Sequence, residues 1–243
     1  LKKVIKKLMS LGLCLTLGLV ALSGSATAAD SNNRFVTLNK KDAFVDPSSG
    51  LLIIPFKKEK DKLVPVSKRE YLDSTQKPIV TKDQGSNTHG KSQLDIISPT
   101  ADYREYWLYT ETLTSTEYGT IQQVSSGITC TTPTCSISKA VTATVSASFS
   151  TSATIEQDAI AAGASFTWQY QLTDQSTYQF NLNQGDSGYI GFKPRFNRSS
   201  GVLKKYSNWD GYLGISKNAW GLSPKKTSNG EADGYYVFVY TDY

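Results

Sequence analysis

Histidine is almost missing from this sequence: His89 is the single example in 243 residues. Any Ser-His-Asp or Cys-His mechanism would have to run through that one imidazole, and no nucleophile elbow accompanies it. It reads as an idle, solvent-exposed loop residue. Of three cysteines, Cys14 sits within an apolar N-terminal run, leaving Cys130 and Cys135 for the body of the chain. No histidine or second cysteine pair lies near them to complete a tetrahedral metal site. After Leu22 no apolar run is long enough to stop in a membrane. A true excess of positive charge is lacking too. Of 26 basic residues, four belong to the first seven positions, leaving 22 against 21 acids. A balance that close removes the electrostatic case for a nucleic-acid partner.

What is present begins with a leader. Lys2, Lys3, Lys6 and Lys7 precede an apolar stretch from Leu8 to Leu22 and the small-residue run Ser25-Ala26-Thr27-Ala28-Ala29. An apolar stretch of about 15 residues suits a secretory signal peptide better than a membrane span. Residues 1–28 are therefore expected to be removed by cleavage near Ala28, giving an unanchored extracellular product, and the leading Leu is consistent with a bacterial non-ATG start. In that compartment Cys130 and Cys135, spaced Cys-Thr-Thr-Pro-Thr-Cys, are expected to form a local disulfide.

Residues 29–90 are polar and Lys-rich, with short apolar islands interrupted by Pro55, Pro65 and Pro78. They read as a loosely structured arm with short edge strands. Residues 91–243 read as the main β domain, the boundary falling in the Gly/Ser/Asn-rich stretch near Asp83 to Lys91. That stretch contains Gly85-Ser86-Asn87-Thr88-His89-Gly90-Lys91-Ser92, which fits a phosphate-binding loop by letter. No strand of useful length precedes it and Pro99 leaves no room for a helix after it, so a nucleotide site is rejected in favour of a surface loop.

The clearest periodicity starts at Ile137. Every second residue from Ile137 to Ile155, that is Ile137, Val141, Ala143, Val145, Ala147, Phe149, Ala153 and Ile155, is apolar with Lys139 and Thr151 as the exceptions, and the residues between are Ser and Thr apart from Ala140. A second stretch places Phe166, Trp168, Tyr170, Leu172, Tyr178, Phe180 and Leu182 in the same rhythm, interrupted at Asp174 and Ser176, where a bend or bulge is expected. Antiparallel pairing through residues 156–163 would set Phe149 opposite Tyr170 and put both apolar faces on one side. Val141, Val145, Phe149, Phe166, Trp168, Tyr170 and Leu172 are the candidate hairpin face, and the connector has room for one helical turn. Between Lys139 and Lys193 there is no basic residue. The predicted fold is all-β: an elongated β-sandwich with a long antiparallel Ser/Thr-rich hairpin and few or no helices beyond the leader.

Toward the C-terminus, Tyr206, Trp209, Tyr212 and Trp220 are scattered among glycines. Such rings pack turns and cores, stack on sugars, or sit at a membrane surface. Tyr235-Tyr236-Val237-Phe238-Val239-Tyr240 reads as a central strand, apolar on both faces. The carboxylate pairs Glu156/Asp158 and Asp210/Glu231 carry no sign of the enclosure that acid catalysis needs. No catalytic residue, metal site or cofactor is assigned.

The charge-poor alternating hairpin, followed by Gln184-Gly185-Asp186-Ser187-Gly188-Tyr189-Ile190-Gly191-Phe192, resembles the central region of bacterial aerolysin-type pore-forming proteins of the epsilon-toxin and mosquitocidal-toxin branch. The resemblance covers residues 120–205. It implies a hairpin, here 137–182, that inserts into a target membrane as several copies close a β-barrel. Two expectations stand side by side. One is a secreted non-enzymatic β protein that binds a cell-envelope or carbohydrate ligand or serves a structural role; the other is a pore former that assembles as a homo-oligomer on a membrane surface.

Overall fold

In the computed structural model the chain is described at residues 35–60, 62–76, 78–81 and 102–242. The leader and the glycine-rich loop with His89 lie outside these residues. What is described is all-β in character, two sheets packed face to face, with two α-helices noted below.

A three-stranded sheet has the order β1 (Phe35–Thr37), β11 (Gln171–Asn183), β9 (Thr134–Ser146). β9 and β11 form the predicted antiparallel hairpin, Leu172 opposite Val145 and Phe180 opposite Ile137. Val141, Ala143, Val145, Tyr178, Phe180 and Leu182 turn inward and are essentially sealed from solvent, while the Ser and Thr residues of β9 face out. Period-two alternation over a one-sided sheet produces this division.

The register runs two residues from the one read off the sequence, which preserves the faces because the strand period is two. The strand is shorter than expected: β9 ends at Ser146, Phe149 belongs to β10 (Ser148–Phe149), and α2 (Thr154–Gly163) replaces the extension to Ile155. The helix spans ten residues rather than one turn. It wins because Ile160 becomes fully buried against Tyr109, Leu203 and Ala219, whereas Ile155 stays half exposed. Phe166, Trp168 and Tyr170 precede β11 rather than lying in it. No bulge interrupts β11 at Asp174 and Ser176; the carboxylate is instead buried and bonded.

The larger sheet is organised on β12 (Ser187–Ser207), which changes neighbours along its length. Its first part pairs with β14 (Gly234–Tyr240), and also with β7 (Gln122–Gln123) and β8 (Ile128–Thr129). From Arg195 onward it lies between β6 (Glu105–Tyr118) and β13 (Gly211–Pro224), the latter extended by β10. β5 (Ile79–Thr81) borders β6. β14 is central, as expected: Tyr236, Phe238 and Tyr240 pack toward the hairpin sheet, and Tyr235, Val237 and Val239 toward a second cluster.

On its other side β14 pairs with β3 (Leu52–Glu59), which carries β2 (Phe44–Val45) and β4 (Lys62–Pro65). β3 is therefore an interior strand, unlike the edge strands predicted for this segment. Pro55 does not break it because its carbonyl accepts from Val66 N–H on the β4 side, so the missing N–H faces away from β14. Ile53, Ile54 and Phe56 are core residues. α1 (Lys68–Thr75) covers the second cluster with Tyr71; Ser67 caps it by accepting from Glu70 N–H at 3.2 Å. Cys130 and Cys135 are joined by a disulfide, and no helix of the described residues is long and apolar enough to cross a membrane.

Candidate functional site

The second half of β12, with β6 and β13, forms a three-stranded region whose two faces differ. One face takes α2: Tyr109, Leu203 and Ala219 pack on Ile160, and Lys217 reaches Glu156 at 2.8 Å. Residues one step out of phase point the opposite way, away from the helix.

On that outward face the ladder sets Tyr106 opposite Tyr206 and Tyr206 opposite Tyr212, a row of three phenol rings across three strands. Tyr106 stacks on Tyr206 at 5.9 Å between centroids, and Tyr206 meets Tyr212 at 5.4 Å. The next rows inward are Leu108, Lys204 and Ser216, then Thr110, Val202 and Asn218. Lys204 holds its ammonium 5.8 Å from the Tyr212 ring. Six residues from Tyr206 along β12, Ser200 faces Trp220, whose indole lies 4.8 Å under the Arg198 guanidinium. At ~3.3 Å per residue the phenol row and the indole stand roughly 20 Å apart on one face. A shallow cleft of ≈ 540 Å³ adjoins Trp220, lined by Thr112, Ser150, Val202 and Asn218 among others.

Trp209 occupies the turn between β12 and β13 and is 67% exposed, with Tyr103 edge-on at 5.7 Å. The turn is tightly bonded. Ser207 Oγ accepts from Asp210 N–H at 2.7 Å and donates to its carboxylate at 2.9 Å. Asn208 Oδ1 accepts from Arg104 N–H at 2.8 Å, and Nδ2 donates to the Asp102 carbonyl at 2.9 Å. Gly211 closes the turn at φ +72°, where a side chain would be strained. Asn208 thus pins residues 102–104 to the turn, which places Tyr103 against Trp209. Below them the Lys205 ammonium and the Tyr103 hydroxyl hold the Glu105 carboxyl under its ordinary value.

Of the four aromatic candidates, Tyr206, Tyr212 and Trp220 share this face and Trp209 stands at its tip. Tyr103 and Tyr106 were missed; their residue type was visible, but their place depends on pairing with a strand about 100 positions away. The hairpin-face candidates are distributed differently. Val141 and Val145 are sealed in the sandwich core with Leu172 packed against it, Phe149 and Trp168 stack at 5.1 Å beside α2, Phe166 stacks on Trp168 at 5.7 Å, and Tyr170 is exposed.

The carboxylates considered for catalysis each have separate partners. Glu156 binds Lys217 and Thr151, Asp158 accepts from Tyr170, Asp210 serves the turn, and Glu231 binds Lys58. A second cleft of ≈ 370 Å³ lies over β3 and the loop before β14. Its charged side chains largely pair with one another or close by: Lys57 with Glu70, Lys58 with Asp174 and Glu231, Arg195 with Asp233. Among the described residues no group of three His, Cys, Asp or Glu side chains is placed to hold a metal ion.

No curated protein and no solved structure matches the chain. A family model does match, over residues 105–242, from the first residue of β6 to two residues past β14, taking in Tyr106, Tyr206, Trp209, Tyr212 and Trp220 but not Tyr103. The protein belongs to that family, described as a family of unknown function (DUF6060).

Proposed function

We propose that the protein is a secreted, non-enzymatic β-sandwich module that binds an extended cell-envelope or carbohydrate polymer along the outward face of β6, β12 and β13. The observation that carries this reading is the placement of Tyr106, Tyr206, Tyr212 and Trp220 on one accessible face of paired strands. Aromatic rings offer an apolar surface for the C–H faces of sugars, and their hydroxyl and N–H groups can still bond to sugar hydroxyls. A separation of roughly 20 Å between the two ring sites suits a chain of several sugars rather than one. Thr110, Ser216 and Asn218 lie between them with short polar side chains suited to hydroxyl partners, and Thr112 lines the cleft beside Trp220. The leader pattern of residues 1–28 and the disulfide support export, with cleavage near Ala28.

Co-sedimentation with insoluble peptidoglycan and plant or fungal polysaccharides tests the proposal. Trp220→Ala and Tyr206→Ala are each expected to weaken retention roughly tenfold, the worth of about 1.4 kcal/mol of ring contact. Their urea midpoints serve as the folding control. Retention on no polymer, or retention indifferent to both substitutions, rejects the reading.

A second reading rests on a separate observation. The β9–β11 hairpin runs thirteen paired residues without a bulge, its outward face uncharged and its inward face apolar apart from Lys139, Asp174 and Ser176, which exceeds the about 9–11 residues of a membrane-spanning strand. Released from the sandwich, such a hairpin has the pattern of a pore-forming element. Dye release from liposomes, with and without prior proteolysis, tests it; vesicles that stay sealed across lipid compositions remove it.

A further inference from the structure

β9 is an edge strand thirteen residues long, and edges of that length are normally blunted by charge, proline, a bulge or a covering segment. Here the ladder to β11 has no bulge, and the strand contains no proline. Its one charge, Lys139, points its ammonium at the Ser126 hydroxyl, 2.6 Å away. Among the described residues no strand pairs with the other side of β9.

The phase of the ladder identifies what that side presents. Ala147 N–H donates to the Tyr170 carbonyl at 2.7 Å, directly opposite in the continued register. In an antiparallel pair such bonded positions recur every second residue, so odd-numbered residues of β9 direct N–H and C=O toward β11. The even-numbered residues Ser136, Ser138, Ala140, Thr142, Thr144 and Ser146 direct theirs to the free edge. A contact on the far side agrees: Asn181, opposite Ser136, uses its carbonyl to accept from Leu38 N–H at 3.0 Å.

We propose that this edge is a homodimer interface, in which β9 pairs antiparallel with β9 of a second copy about a two-fold axis near Ala140. The partner chosen is a second copy because the edge complements itself. Even residues must face even residues for both sets of outward groups to bond, and centring on Ala140 sets Thr142 opposite Ser138 of the second copy. Lys139 then faces Val141 of the second copy, the two Lys139 residues lying diagonally across the axis with each ammonium bonded to its own Ser126 hydroxyl, and facing Thr and Ser hydroxyls add cross-strand hydrogen bonds. The two three-stranded sheets become one of six. Edge pairing alone buries less than a standard interface, so the dimer is a weak one.

Sedimentation velocity over roughly 1 to 300 µM, the range in which an interface of this size half-assembles, tests the proposal. The wild-type protein is expected to move from monomer to dimer. Thr142→Pro removes one outward N–H while sparing the β9–β11 ladder, and is expected to remain monomeric with an unchanged near-UV circular dichroism spectrum. Ala140→Lys, which keeps the backbone intact, sets two ammonium groups beside the axis; its dissociation constant should rise at least tenfold at low salt and recover as salt is added. A wild-type protein monomeric throughout, a dimer unaffected by both variants, or growth past the dimer overturns the proposal. So does slow hydrogen exchange of the even-numbered β9 amides in a monomer, which would assign the edge to another segment of the same chain.

Discussion

The Tyr236 hydroxyl of β14 donates to the Asp174 carboxylate of β11 at 2.6 Å, a bond that crosses from one sheet of the sandwich to the other. The second carboxylate oxygen receives the Lys58 ammonium at 2.7 Å, which also donates to Glu231 at 2.8 Å and Ser176 at 3.0 Å. Three strands and a loop are tied at one point. Burial alone would lower the basicity of Lys58, yet its hydrogen bonds to Asp174 and Glu231 raise it above the ordinary lysine value.

Removing one partner of this cluster leaves a charge enclosed without compensation. Lys58→Met is expected to cost about 3–5 kcal/mol. Tyr236→Phe, which withdraws one bond to an ionised group, costs about 1.5–3 kcal/mol. The double variant Lys58→Met/Asp174→Leu should recover much of the single loss, because both charges leave together. Urea unfolding of the wild type, Lys58→Met, Asp174→Leu and the double variant closes the cycle, and additive losses would show that the two groups act separately.

Acid should loosen the opposite side of β14. Lys193 and Asp46 are both almost fully buried, 3.3 Å apart. Burial by itself pushes the Asp46 carboxyl up, but hydrogen bonds from Ser48 and Ser49 and the Lys193 ammonium together hold it below its ordinary value. Glu156 is likewise lowered against its burial by Lys217 and Thr151. Because both folded values lie beneath the unfolded ones, near 3.9 and 4.3, their stabilisation is complete above about pH 4.3 and is lost as pH falls through the folded values. Unfolding midpoints from pH 6 to pH 2 should drop below about pH 4, and Asp46→Asn should flatten part of that drop.

Alkali should unfold the protein by a different route. Burial raises the phenol values of Tyr71, Tyr118, Tyr236 and Tyr240, with neighbouring negative groups such as Asp174 adding to it for Tyr236. Folded values above unfolded ones mean that this stability is whole below about pH 10 and declines as pH rises toward the folded values. Tyrosinate absorbance near 295 nm is expected to grow in two phases, the later one coinciding with loss of near-UV circular dichroism. A single phase that precedes unfolding would contradict the burial of these rings.

The disulfide closes a ring of only a few residues, so its contribution is modest. Cys130→Ala/Cys135→Ser is expected to cost about 2 kcal/mol and to lower Tm by about 4–8 °C, measurable by calorimetry. Ala is used at position 130 because that side chain is buried beside Ile128 in the core.

Where one face meets the core and the other solvent, side-chain rhythm alone was enough, and the hairpin faces and the central place of Tyr235 to Tyr240 were legible. Residues whose role depends on distant pairing were not. Asp174 looked like a flaw in an apolar face, since nothing local announces that Lys58, 116 positions earlier, arrives to neutralise it. Pro55 and Pro65 suggest edge strands, but a proline excludes an interior strand only where its absent N–H would face a neighbour that needs it, and the sequence does not show which way Pro55 faces. Thr154 and Ile155 fit the end of the alternating strand and residues 156–163 a connector with one helical turn; burial of Ile160 is what makes the whole stretch a ten-residue helix. Residue type alone marks Tyr206, Tyr212 and Trp220, but their common face is set by the β12 registers.

β12 passes without a break from beneath the sandwich to the turn that bears Trp209, bonded on both flanks for most of that distance. A tug on the ring-bearing end, directed along this strand, would load many ladder bonds simultaneously in shear instead of opening them one by one. A molecule gripping a wall or fibre by that end would therefore hold against flow better than its modest contact area suggests.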